Sequence, residues 1–160
     1  MSDDLNAKMI LGLRRFAKSV MVISCEFEGH KYAMSATAVS EVSLDPPSML
    51  VCINHNAKIF SAMQNGAPFC INMLQTGHKD VAQACGGAKQ GEDRFSIGDW
   101  REQDDIPYLH GAQANFFCSN AQAQTFGTHD IFIGVVTKVL VEDSVDPLVY
   151  IDGLYLPIQL

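Results

Sequence analysis

Residues 33–54 read AMSATAVSEVSLDPPSMLVCIN, and this stretch decides the class of the fold. Its first part lies in Lys31 to Ser40, where short polar and apolar side chains alternate as in a strand with one solvated face. Leu44-Asp45-Pro46-Pro47 then breaks the chain, because two prolines fix φ and remove two backbone donors. Ser48 to Asn54 follows as a short unbroken apolar run, suited to a central strand.

Working outward, Ser19 to Phe27 (SVMVISCEF) is β-branched and apolar and ends at Glu28-Gly29-His30, so with Lys31 to Ser40 it predicts a hairpin. Before it, Leu5, Met9, Ile10, Leu13 and Phe16 recur at helical spacing, which predicts an amphipathic helix over Leu5 to Ala17. Downstream, a helix from about Lys58 to Gln64 is stopped by Asn65-Gly66, Phe69 to Leu74 is a buried strand, and His78 to Cys85 is a helix closed by Gly86-Gly87. Ala88 to Pro107 has no clear period and reads as a long loop. Ala112 to Ala123, Asp130 to Val141, Leu148 to Ile151 and Leu154 to Ile158 read as strands with tight turns.

About six or seven strands with a few short helices favour a mainly β fold, a closed or nearly closed antiparallel barrel. A doubly wound dinucleotide fold would need regular strand–helix alternation and a G-x-G-x-x-G turn, and neither is present. The 160 residues are expected to form one domain, 1–160.

The net charge of −7 and the scattered Lys and Arg exclude a nucleic-acid groove, though backbone N–H groups and a single Lys can still hold a phosphate. The five cysteines contain no C-x-x-C pair and sit mostly in apolar runs, so they read as reduced, buried thiols. The opening MSDDLNAKMI lacks a basic region followed by an apolar one, and no apolar run reaches membrane-spanning length. A cytoplasmic protein with no membrane partner is expected. The five histidines show neither H-x-H nor H-x-x-x-H spacing, so no metal is expected, and no G-x-S-x-G elbow announces a hydrolase.

The polar residues that interrupt apolar strands or lie just past their ends are Ser35, Thr37 and Ser40, then Asn54 to Lys58, then the Gly127-Thr128-His129 turn. At one rim of a barrel they could converge on a flat polar ligand with a phosphate tail. Each also has a plain reading: Ser35 and Thr37 as solvent-face residues, Asn56 as a helix N-cap, and His129 as a surface turn residue.

AMSATAVSEVSLDPPSMLVCIN resembles the segment that marks the flavin reductase family, the small reductase partners of two-component flavin-dependent monooxygenases. RRFAKSVMVIS, FCINML, EDRFS, GTHDIFIGVV and LVYIDGLYLPI are similar to that family's other elements, in order and at compatible spacing. The likeness is closest to the reductase component of the 4-hydroxyphenylacetate 3-monooxygenase type. It implies an FMN-binding split β-barrel of Greek-key topology, a homodimer, and hydride transfer from NADH or NADPH to FMN or FAD for a separate oxygenase.

By the same resemblance Ser35 or Ala36, Thr37 and Ser40 line the flavin and its phosphate, and the backbone at Cys52, Ile53 and Asn54 lies beside the ring and ribityl chain. The connection through His55 to Lys58 would hold phosphate with a helix N-terminus and an ammonium group. Gly127 and His129 match the family's turn, whose histidine serves the nicotinamide; Thr128 replaces the acidic residue of many members. Lys18 and Ser19 stand where many members have Thr-Gly, and Arg94, Phe95 and Tyr155 are further candidates for closing over the cofactors. Two alternatives carry different chemistry: a flavin-binding module of the same barrel without turnover, and a pyridoxamine phosphate oxidase, against which the SATAVS and Gly-Thr-His segments speak.

Overall fold

A computed structural model describes residues 2–160. The strands are β1 (Lys18–Ser19), β2 (Met21–Phe27), β3 (His30–Ala36), β4 (Val39–Leu44), β5 (Pro47–Asn54), β6 (Phe69–Met73), β7 (Trp100–Gln103), β8 (Ile106–Leu109), β9 (Ala114–Phe126), β10 (His129–Val141), β11 (Leu148–Ile151) and β12 (Leu154–Pro157). The α-helices are α1 (Ser2–Leu13), α2 (Phe60–Gln64) and α3 (Lys79–Gln83). Seven strands form one antiparallel sheet in the order β3-β2-β6-β9-β10-β5-β4. The mainly β, antiparallel class expected from the strand pattern is therefore the one observed.

The closure of the sheet follows from this order. β3 and β4 are its two outer strands, yet they are consecutive in the chain and joined only by Thr37 and Ala38. Two residues span at most about 7 Å per extended pair, so the sheet curls until its edges approach at this link. The link was invisible to pattern reading, which carries one strand through Lys31 to Ser40; the alternation simply continues across the break.

β2 is buried on both faces, and its period of two divides the core. Met21, Ile23 and Cys25 join Val51, Ile53, Phe69, Ile71 and Phe132 in one cluster with α2 residues Ala62 and Met63. Val20 and Val22 point the other way, to Leu74, Val81, Leu109 and Leu148. On the same outer side Asn72, fully buried, donates to Val22 O (2.8 Å) and Ser24 Oγ (2.9 Å) and accepts from Leu109 N (2.9 Å) and Asn115 Nδ2 (2.8 Å). Through these bonds the β7–β8 hairpin is fastened to the sheet.

That hairpin lies in the segment expected to be a long loop, which instead holds a 3-10 turn at Gly91–Ser96 and two paired strands. WREQ gives no apolar alternation, so its strand is imposed by tertiary hydrogen bonds rather than by local pattern. The first helix also differs from expectation: it ends at Leu13, and its apolar stripe meets no core, with Leu5, Met9 and Ile10 60–67% exposed. Among the described residues no helix is long and apolar enough to cross a membrane.

Candidate active site

The end of β3, the Thr37–Ala38 link and the start of β4 lie where the sheet edges meet. Ser35 donates its hydroxyl to Ala82 O (2.6 Å), which holds α3 against β3. Ser35 also lines two depressions: a polar cleft of about 330 Å3 shared with Tyr32, Asn56, Lys58 and Arg94, and a notch of about 170 Å3 walled by Tyr150 and Tyr155. Thr37 lines that notch as well, together with an apolar groove of about 700 Å3 that includes Met21, Ser40, Met49, Phe116 and Val136. Ala36 is buried beneath, whereas Ser40 is exposed and its hydroxyl donates to Glu41 O (3.1 Å).

A second group forms at the far end of β5. Asn54 Oδ1 accepts from the Asn56 backbone N–H (2.8 Å), an Asx turn that carries the chain round to Lys58 at the polar cleft. Asn54, not Asn56, therefore makes the cap-like bond. α2 starts only at Phe60, runs five residues and has no side-chain cap, so a helix dipole adds little here and any anion would rest on Lys58 and turn N–H groups. Among the described residues Lys58 enters no ion pair, and Lys31 across the cleft is taken up by Glu102. Arg94 reaches the cleft with its guanidinium fixed to Ala33 O (2.7 Å) and Lys89 O (2.9 Å).

β10 brings the turn to the same end, with His129 opposite Asn54. Gly127 sits at φ +60 with open space around its missing Cβ, the left-handed conformation a two-residue hairpin asks of its first turn residue. Thr128 Oγ1 lies 2.8 Å from His129 Nδ1, Thr128 O accepts the His55 backbone N–H (3.0 Å), and His55 Nε2 is 2.8 Å from Asp130 Oδ1. The His55 hydrogen bond, then Thr125, holds the Asp130 carboxyl below the usual carboxylate range.

The expected residues thus fall in two groups, Ser35, Ala36, Thr37 and Ser40 at the link and Asn54, His55, Gly127 and His129 at the turn, with Lys58 on the cleft that Ser35 also lines. Cys52 and Ile53 lie between them inside β5; the Ile53 side chain is fully buried and the Cys52 N–H is taken by Ala38 O (3.0 Å), so at Cys52 the half-buried side chain, rather than that N–H, is left to face a ligand. Sequence reasoning missed Asp130 and Tyr150. Asp130 had a signal, an acid at the head of the apolar run IFIGVV, while Tyr150 had none beyond its strand.

Comparison with known proteins adds to this geometry. A family model described as flavin reductase like domain matches residues 13–159. The reductase component of the FADH(2)-dependent resorcinol hydroxylase of Rhizobium sp. (strain MTP-10005) is 34% identical over 146 residues, covering 89% of this chain and 82% of that protein. RutF of Variovorax paradoxus, an FMN reductase (NADH), is 30% identical over 144 residues, covering 89% and 80%. The solved structure of BorF, the flavin reductase component of a bacterial two-component tryptophan halogenase, superposes with a TM-score of 0.86 at 27% identity, covering 95% of this chain and 98% of BorF. The flavin reductase PheA2 gives 0.87 at 26% identity, covering 96% and 98%.

Proposed function

Because the chain belongs to the flavin reductase-like domain family, we propose that it is an NAD(P)H-dependent flavin reductase, taking a hydride from NADH or NADPH to FMN or FAD and releasing reduced flavin to a separate flavin-dependent oxygenase. The observation that carries this reading is the junction at Ser35–Ala38, where a polar cleft lined by Lys31, Lys58 and Arg94 and a wide apolar groove adjoin one short segment. That pairing suits a flat ring system bearing a phosphate.

Bound flavin would supply the electron-accepting ring, and bound nicotinamide the hydride. The protein's residues bind, orient and shield. Ser35 and Thr37 offer hydroxyls beside the ring, Lys58 and Arg94 offer charge for phosphate, and Met21, Met49 and Phe116 exclude water from the groove. No proton has to be moved by a side chain in the transfer, which agrees with a site built without paired carboxylates. His129 is assigned to the nicotinamide half, as a hydrogen-bond donor to its carboxamide or pyrophosphate.

The working unit is a homodimer of single-domain chains. Leu5, Met9, Leu13 and Phe16, flanked by Ile10, form an exposed apolar row on α1 and just beyond it, and Leu44 and Phe126 are more than four-fifths exposed, surface that a second copy would cover. Five free thiols are consistent with a cytoplasmic setting.

Oxidation of NADH and of NADPH with FMN, FAD and riboflavin in turn tests the activity and identifies the cofactors. His129→Ala should raise the KM for NADH about ten-fold, the loss of one charge-assisted bond, while Thr37→Val weakens flavin binding first. A yellow protein that never oxidises a nicotinamide would be a flavin-binding module, and the enzyme reading would fall.

A further inference from the structure

Asp130 poses a physical question that the hydride transfer does not answer. Its side chain is 6% exposed at the second position of β10, between Ile53 on β5 and Thr125 on β9. Phe132 and Gly134, the next residues on the same face, are buried in apolar surroundings. A carboxylate there costs desolvation unless it is paired, and an apolar side chain would hold the strand as well. Its partner is His55, through Nε2 at 2.8 Å.

His55 is in turn the residue that grips the turn. Its backbone N–H bonds Thr128 O at 3.0 Å, and Thr128 Oγ1 lies 2.8 Å from His129 Nδ1. The His55 ring packs against Phe60, centroids 4.8 Å apart, and Phe60 meets Phe132 edge-on at 6.0 Å, so the imidazole is held by the core on one side and the carboxylate on the other. A continuous set of contacts runs from Asp130 through His55 and Thr128 to His129. In this chain the turn's middle position is Thr128, and the acid stands two residues later, where it reaches His55 rather than solvent.

We propose that His55 and Asp130 are a positioning pair that fixes the Thr128–His129 turn and thereby the grip of His129 on the nicotinamide substrate. The pair touches neither reacting ring; it acts through His129, and so rests on the assignment of His129 made above.

The test is steady-state kinetics with NADH and FMN on Asp130→Asn, His55→Gln, His129→Ala and the double variant Asp130→Asn/His129→Ala, with flavin affinity measured by fluorescence quenching. Asp130→Asn and His55→Gln should each raise the KM for NADH about five-fold, with kcat within about two-fold and, for Asp130→Asn, flavin Kd within about two-fold, and the double variant should be no worse than His129→Ala alone. If His129→Ala raises the KM and the other two leave it unchanged, the positioning pair is refuted and the role of His129 stands. If His129→Ala itself leaves it unchanged, that role falls and takes the pair with it. Multiplicative effects in the double variant, or equal loosening of flavin by Asp130→Asn, would show that the pair serves the strand in general and overturn the proposal. Should Asp130→Asn not fold, His55→Gln, at a side chain 36% exposed, carries the test, combined with His129→Ala in the same way.

Discussion

Replacing Asn72 with Leu, a side chain of similar volume, should cost about 3–5 kcal/mol of stability. The figure comes from the groups left behind. Asn72 Oδ1 is the acceptor for the Leu109 N–H, and no other side chain replaces it, so that donor is orphaned in a fully buried place. Val22 O loses a donor, while Ser24 Oγ still donates to Pro107 O and Asn115 Nδ2 still donates to Leu109 O, so these two are spared. One complete and one partial orphan, at about 1–3 kcal/mol each, plus the lost net bonds, give that range. It is about a fifth or more of the roughly 5–15 kcal/mol typical of a domain. Urea unfolding followed by tryptophan fluorescence suits the question, because the single tryptophan, Trp100, lies opposite Leu109 in the β7–β8 pair and packs on Phe95 at 4.8 Å. It reports on the hairpin that Asn72 fastens. Asn115→Ala should cost less, since Asn72 Oδ1 keeps the Leu109 bond. Asn72→Leu within about 1 kcal/mol of the parent would refute the reasoning, and the hairpin's attachment would have to be credited to apolar packing instead.

Gly134→Ala should destabilise by about 1–3 kcal/mol, lowering Tm by several degrees, because an added Cβ would stand 2.6 Å from Cys118 Cβ and 2.7 Å from the buried Phe69 ring; an unchanged melting curve would contradict this. A thiol reagent under native conditions should titrate Cys52, half-buried, well before the rest, since burial pushes Cys25 and Cys118 up to about 12 and Cys85 up to about 11, and raises Cys70 strongly; labelling followed by mass mapping reads the order. Stability contributed by Asp130, whose folded carboxyl titrates below its usual range, should be fully present above the ordinary aspartate pKa of about 4 and be lost as pH falls through the depressed value. Acid unfolding of Asp130→Asn should accordingly be less steep than that of the parent over that window, and parallel curves would argue against the His55 contact.

Much of the strand pattern was legible in the sequence because the strands carry their own evidence. Leu148–Ile151 was read to the residue, and the hairpin turn at Glu28-Gly29 has positive φ at both residues as a two-residue turn requires. Two features were not legible for the same physical cause, that distant groups impose them. The β7–β8 hairpin exists through Ser24 and Asn72, both far from it in sequence, with Asn115 adding a bond from six residues downstream. The break at Thr37–Ala38 arises from closure of the whole sheet, which no local alternation encodes. At the site, the hydroxyls of Ser35 and Thr37 and the turn histidine stood out as polar interruptions, and Lys58 followed from its place after a strand. The His55–Asp130 contact joins residues 75 apart and became visible only when β5 and β10 were laid side by side.

The two outer strands of the sheet have one further bearing, on kinetics. Separating any inner pair of strands breaks a row of ladder hydrogen bonds, whereas parting β3 from β4 breaks none between them. Opening of this seam needs no ladder bond across it to break, and we expect it to run faster than unfolding of the core behind it. A reductase that hands on its product must let it go at every turnover. Here departure of reduced flavin can ride on edge breathing of the barrel, which would make off-rate, rather than affinity for the ring, the property most sensitive to substitutions along that line.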